Sequence, residues 1–223
     1  MEKLVKQLKE IIKEVISISK MLIYGFSRKL TFIVTGKYYI SQTCQIKDLD
    51  EIYQKVGILK TTGTFVEVGG FDGERFSNSS FLADKGWKGV YIEPIPNYSR
   101  LIKARHLFNS VIVENCAVSE QEGIQKLYKM SAFSTLSREN LDAYQKMEWS
   151  QHFSKNPELI YVKTKTLKQI LERNLIPFNF ELLIVDVEGF EEVIIRAMVQ
   201  SAWRPLNILI ELEDNHPSIS AYE

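Results

Sequence analysis

The residues of this chain best suited to chemistry are acids placed where hydrophobic runs give out. Glu67 lies in the run from Phe65 to Gly69 and is followed by Gly70, Phe71, Asp72, Gly73 and Ser77. A strand that turns through glycines lets a ligand approach the backbone and offers it free amide groups. Two kinds of ligand use such a turn. A dinucleotide needs a second glycine beside its pyrophosphate, and Phe71 stands at that place. A ligand with an ammonium and a sulfonium but no phosphate suits the acids Glu67 and Asp72 better. A plain strand–helix joint is the structural alternative.

Glu93 closes the next run, twenty-six residues after Glu67, and Pro94 comes directly after it. An acid there can accept hydrogen bonds from both hydroxyls of a ribose, and it would repel a 2′-phosphate. The third run ends in Asn115, Cys116, Ala117 and Val118. That is the expected place for an adenine ring, with Asn115 or a backbone amide as its partner. The fourth run ends in Asp186 and Glu188. In extended backbone both side chains would point to one side of the sheet. Asp186 could orient a donor or take a proton from an acceptor hydroxyl. Glu188 could cap the following helix. Glu188, Glu211 and His216 are further candidates for the base, with Asp186 first because its strand is central. A divalent metal held by Asp186, Glu211 and Asp214 is compatible with the residues, but the spacing does not demand it and no metal is expected. His106 and His152 lack paired context and read as structural.

These acids need a frame. Five continuously apolar runs, at 64–69, 89–93, 110–114, 181–186 and 207–211, have the character of buried parallel strands. Helical stretches lie at about 75–86, 96–106, 166–174 and 189–200. The alternation predicts a Rossmann-like α/β fold with a doubly wound, mostly parallel sheet over residues 61–223. Ligands bind at the carboxyl ends of such strands, where the acids stand. From about 125 to 165 the rhythm breaks into extra strands at 125–130 and 159–163 around Phe133, Tyr144, Trp149 and Phe153. This insertion reads as a lid or substrate loop, with a satellite aromatic cluster as the alternative. Residues 1–60 form a helical extension. Leu4, Leu8, Ile11, Val15, Ile18 and Leu22 mark an amphipathic helix over 2–22, expected to pack on the domain or a partner subunit. A membrane-surface helix and a short coiled coil are the other readings.

At 223 residues, 45% of them hydrophobic, the chain can bury a sizeable core. Lys+Arg and Asp+Glu both number 28, so no basic excess points to nucleic acid. Cys44 and Cys116 suit no metal or redox spacing and read as reduced thiols. Lysines interrupt the N-terminal apolar stretches before a spanning length is reached, and no cleavage site comes after them. The expectation is a cytoplasmic protein, with peripheral membrane contact or a homodimer through the first helix.

The pattern E-x-G-G-x-D-G, the glutamate closing the second run, N-C-A-V and I-V-D-V-E-G-F-E resemble the FkbM family of methyltransferases over roughly residues 62–214. The resemblance implies a class I fold, S-adenosylmethionine as methyl donor, and O-methylation of a sugar, glycan or natural-product hydroxyl. It implies that Glu67, Gly69 and Gly73 meet the donor's methionine part, that Glu93 binds ribose, and that Asp186 sits beside the transferred methyl. With Gly70, Asp72, Ser77, Pro94, Asn115 and Ala117, these residues make up the candidate donor site. Glu67 departs from the commoner aspartate while keeping the charge. After the fifth run only Leu212 to Glu223 remain, too few for the usual C-terminal helix and antiparallel hairpin. The expectation is that this hairpin is missing. A donor-binding module without turnover is the competing functional reading.

Overall fold

In the computed structural model, residues 1–44, 46–60 and 62–212 are described. The chain opens with α1 (Glu2–Thr35) and α2 (Leu49–Lys55), then enters β1 (Thr64–Val68), α3 (Ser80–Asp84), β2 (Lys88–Ile92), α4 (Pro96–Arg105) and β3 (Val111–Glu114). Next come β4 (Ala117–Val118), β5 (Gly123–Lys129), α5 (Arg138–Lys146), α6 (Gln151–Ser154) and β6 (Glu158–Lys165). The last alternation is α7 (Leu167–Arg173), β7 (Leu182–Val185), α8 (Glu191–Gln200) and β8 (Asn207–Ile210).

Five strands form one parallel sheet in the order β3-β2-β1-β7-β8. Every residue of β1 and β7 is buried, because helices cover both faces, and the two runs are accordingly apolar except for Thr64 and Glu67 of β1. One face packs Val66, Val68, Val90 and Ile92 against Leu167, Ile170 and Ile194 of α7 and α8. The other packs Phe65, Tyr91 and Leu182 against Leu49, Phe81 and Ile102 of α2, α3 and α4. The doubly wound sheet is as expected from the sequence. Chain order reverses between β1 and β7, which is the switch point where such sheets bind ligands.

The irregular stretch forms a second sheet, β4-β6-β5, with β5 antiparallel to β6. Leu127 and Val162 bury against Ile95 and Ala117, so this sheet leans on the carboxyl end of β2. Residues 213–223, including Asp214, His216 and the place of the expected missing hairpin, lie outside the described residues.

Two helices differ from expectation. The helix predicted over 75–86 is reduced to α3. Asp72 Oδ1 accepts from the amides of Glu74 (3.0 Å) and Arg75 (2.8 Å), Phe76 is left-handed at φ 60°, and Ser77 Oγ accepts from Ser80 N at 3.0 Å. Short polar side chains thus hold the backbone in a loop. The helix predicted over 2–22 instead runs to Thr35, because nothing breaks it before Gly36, whose φ of 70° closes it with a hydrogen bond to Phe32 O. Its packing side also differs. Gly25 is buried against α4, where a Cβ would lie 1.9 Å from the Arg105 carbonyl oxygen. The predicted stripe is largely uncovered, with Leu4, Leu8, Ile11 and Val15 all exposed.

Arg105 fastens this side. It is 1% exposed, pairs with Asp84 through both terminal nitrogens (2.9 and 2.7 Å), and reaches Glu74 at 2.7 Å. Tyr24 of α1 donates to the same Glu74 at 2.8 Å. Removing one partner of a buried pair strands the other charges, at a cost of about 3–5 kcal/mol. Arg105→Ala is therefore expected to lower unfolding free energy by about that amount, measured by chemical denaturation; a loss below about 1 kcal/mol would mean the pair behaves as a surface one.

Candidate active site

The turn after β1 is shaped by its neighbours. Gly69 has φ 93°, and a Cβ there would lie 1.6 Å from the carbonyl oxygen of Asp186. Only glycine lets the end of β1 pass the end of β7 this closely. Phe71 adopts φ 45° and stacks edge-on against Tyr98, with ring centroids 4.4 Å apart. Its amide donates to Glu93 Oε2 at 3.0 Å, and Ile95 N donates to Glu93 Oε1 at 2.8 Å. Glu93 is thereby fixed from both sides. Each oxygen retains a lone pair for another donor.

These turns enclose a cleft of about 460 Å³ at the carboxyl edge of the sheet, a size suited to a nucleoside-sized ligand. Four neighbouring strands deliver acids to it: Glu93 from β2, Glu67 from β1, Asp186 and Glu188 from β7, and Glu211 from β8. Of the basic residues, Arg75 alone lines the cleft among the described residues, and it pairs with Asp72 at 2.6 Å. Like charges gathered out of water resist ionising. Burial pushes Glu67 up to about 7, although hydrogen bonds from Ser79, Asn78 and Ser77 partly offset it. Burial likewise pushes Glu93 up to about 8, against the opposing amides of Ile95 and Phe71. Asp186 is raised well above the usual carboxylate range by burial, then by Glu211, Glu188 and Glu67. A cleft built this way gains most from a ligand that brings positive charge.

A family match accompanies this geometry. The model for the methyltransferase FkbM domain matches residues 67–222. The chain belongs to the FkbM methyltransferase family. No curated protein and no solved structure matches it. In the FkbM fold seen here, the turn, the strand-end acids and the insertion surround one cleft.

The sequence-predicted residues fall into two groups. Glu67, Gly69, Gly70, Ser77, Glu93, Pro94, Ala117, Asp186 and Glu188 line the cleft. Asp72, Gly73 and Asn115 stand behind it. Asp72 is fully buried in its own loop and spent on Glu74, Arg75 and the Arg75 guanidinium. Gly73 packs on Ile102 and gives its carbonyl to His106 Nε2 at 3.1 Å. Asn115 donates to the carbonyls of Glu93 (2.9 Å) and Pro94 (3.0 Å), stapling the turn that presents Glu93. Glu188 departs from the extended geometry assumed for it. The strand stops at Val185, Glu188 sits at φ 42°, and its carboxylate accepts from Tyr144 of the insertion instead of capping α8. Glu191 takes that helix end, accepting from Gly189 N at 2.9 Å. His106 is buried, and burial followed by the charge of Arg105 lowers it to about 3, so it serves as a neutral packing group. Among the described residues no group of three or more His, Cys, Asp or Glu is placed to hold a metal ion.

Sequence reasoning missed Phe71, Ile95 and Tyr98 as cleft residues, because backbone amides and left-handed turns leave no residue-type signature. It did signal the insertion. Phe133 and Trp149 line the cleft, 5.4 Å apart edge-to-face, with Phe153 stacked on Phe133 at 4.8 Å and Trp149 54% exposed. The stretch is thus both an aromatic cluster and a cleft wall.

The raised carboxyls set a pH dependence. In the unfolded chain Glu67 and Glu93 ionise near 4.5, whereas in the fold they keep protons to about 7 and 8. Folding therefore takes up protons, and their contribution, fully present below about 4.5, is lost as pH rises through the folded values. Thermal unfolding of the ligand-free protein is expected to shift to lower temperature between about pH 5 and 8.5 in wild type, and less so in Glu67→Gln/Glu93→Gln. A wild-type midpoint that rises over this interval would contradict it.

Proposed function

We propose that this chain is an S-adenosylmethionine-dependent methyltransferase that methylates the hydroxyl of a sugar, glycan or related small molecule. The observation that carries the reading is the row of acids across the carboxyl ends of β2, β1, β7 and β8, three of which, Glu93, Glu67 and Asp186, are pushed by burial toward the protonated form. The donor's ammonium and sulfonium supply the positive charge this row lacks. The residues fit the rest of such a donor as well. Glu93 is pinned with lone pairs facing the cleft, where a ribose diol can donate to it. Cys116, Ala117, Val118, Ile95 and Leu127 offer an apolar slot for a flat ring. Glu67, Ser77 and the open turn at Gly69 and Gly70 suit a polar amino-acid head.

When bound, the donor supplies an electrophilic methyl group on a sulfonium. The protein's task is then alignment, which can contribute about 7–11 kcal/mol, and removal of the hydroxyl proton. Asp186 is the base. It faces the cleft, and burial with Glu211 and Glu188 raises its proton affinity well above the usual carboxylate range, which strengthens it as a base once the donor's positive charge has displaced its own proton. Glu211 shares a hydrogen bond with Asp186 and can hold the abstracted proton jointly with it. Trp149 and Phe133 provide faces on which the C–H side of a sugar ring can rest.

Calorimetric titration with S-adenosylmethionine separates the outcomes. Hydrogen bonds to a charged group contribute about 1.5–3 kcal/mol, so Glu93→Ala is expected to weaken donor binding by roughly 10–150-fold. Asp186→Asn is expected to keep donor affinity within a few-fold and to lower turnover of a hydroxyl acceptor by about 10²–10⁴. Folded wild-type protein that takes up no donor would sink the reading. Tight donor binding with no methyl transfer to any hydroxyl acceptor would favour a binding module.

A further inference from the structure

The outer side of α1 stands apart from the cleft. Twelve of its large apolar side chains are exposed, each by 45–72%. At about 100° per residue, they share one sector roughly 140° wide that runs the length of the helix, about 45 Å from Leu4 to Val34. Lys29 alone of the helix's charged residues touches its margin. The side packed on the domain is turned about 140° away. There Gly25 meets α4 and Arg100 holds Glu14 at 2.5 Å, while at the margin Lys29 reaches the Asp84 carbonyl at 3.0 Å and, within the sector, Phe26 rests edge-on against Phe108 at 5.2 Å. The domain is therefore already seated on one side of α1, and the apolar sector apart from the Phe26 contact is left over. Exposed Ser19 interrupts the sector between Ile16 and Ile23, and an exposed apolar face of this extent on either side of it marks an interaction site.

The pattern discriminates between occupants. Along Leu4, Leu8, Ile11, Val15, Leu22, Phe26, Leu30 and Ile33, the apolar repeat stays close to about 3.6 residues, the period of a straight helix. A coiled-coil seam needs about 3.5. A heptad begun at Leu4 arrives at Gly25 and Lys29, which face the domain, so a partner helix would lose its seam past Leu22. A flat apolar medium has no such requirement. Charge points the same way. Residues 2–35 carry seven Lys or Arg against three Glu, in a chain that is balanced overall. Lys6, Lys9, Lys13 and Lys20 line one flank of the apolar sector. Among the described residues no helix is long and apolar enough to cross a membrane, so the helix is suited to lie in an interface instead.

We propose that α1 docks this protein on an anionic lipid bilayer, with the Ile, Leu, Val and Phe sector immersed at the headgroup boundary and the lysines on lipid charges. Such helices sink about 5–10 Å. The site needs neither the methyl donor nor an acceptor, so its test is independent of the catalytic reading.

The test is flotation of the full chain with vesicles of phosphatidylcholine alone and of phosphatidylcholine with phosphatidylserine, alongside light scattering of the lipid-free protein. The protein is expected to float with the anionic vesicles, less with the neutral ones, and less again in high salt. Leu8→Glu/Ile23→Glu should reduce binding at least roughly tenfold, because it places charges in the immersed sector. Lys9→Glu/Lys13→Glu should reduce it by roughly fivefold or more per position. The substituted side chains are exposed, so circular dichroism and thermal midpoint should stay at wild-type values. Leu8→Ser/Ile23→Ser serves as a milder pair should the glutamates unwind the helix, with a reduced binding again expected. Wild-type protein that floats with neither vesicle type overturns the proposal. So does a lipid-free dimer without vesicle binding that Leu8→Glu/Ile23→Glu converts to monomer, since a second copy would then cover this face.

Discussion

Where β1 turns, its backbone passes the end of β7 so closely that a Cβ on Gly69 would lie 1.6 Å from the Asp186 carbonyl oxygen. That approach fixes the cleft. It brings Glu67 and Asp186, from strands more than a hundred residues apart in the chain, to the same edge, while the turn amides of Gly69 and Gly70 donate to the Ile92 carbonyl and that of Phe71 to Glu93. The sheet register continues the row: Val185 lies beside Ile210 in β8, placing Glu211 next to Asp186. The acids converge because the strands that end in them are neighbours.

Holding several carboxyls together has a cost that the fold meets in two ways. At Glu67 and Glu93, hydroxyls and amides donate to the carboxyl groups and stabilise the charged form, yet burial outweighs them and both remain raised. At Asp186 the neighbours are themselves acids, so the proton is held against the mutual repulsion. The ligand-free cleft is consequently a proton store. Positive charge entering it can displace those protons and recover the desolvation already incurred, which is a form of preorganisation.

The insertion and α1 make separate contacts with the sheet domain. The insertion reaches back into the cleft: Tyr144 donates to the Glu188 carboxylate, Thr135 donates to the Glu188 carbonyl at 2.6 Å, and the aromatic cluster forms a wall. A left-handed Glu188 followed by Gly189 at φ 91° is the backbone strain that this contact holds in place. On the opposite side, α1 is tied through Tyr24 and Glu74 to the loop that continues the glycine turn. It shares that loop with the cleft while turning its apolar sector outward.

What the sequence determined by itself was whatever depends on local pattern. Continuous apolar runs between helical stretches specified a parallel, doubly wound sheet, and the position of acids at run ends specified which edge would gather them. The glycine turn and D-V-E-G segment sufficed to place the chain in its family. Tertiary structure decided matters of competition between partners. Asp72 and Asn115 had the right type and spacing to bind a ligand, but nearby backbone groups claimed them first. Glu188 left the strand geometry because Tyr144 and Thr135 lie within reach only after folding. The buried side of α1 was likewise set by one close crossing at Gly25, not by the stripe of large apolar residues. A periodic pattern reports that a helix has an apolar face. Which face meets the domain depends on where two backbones can approach, and that is a property of shape that hydrophobicity does not encode.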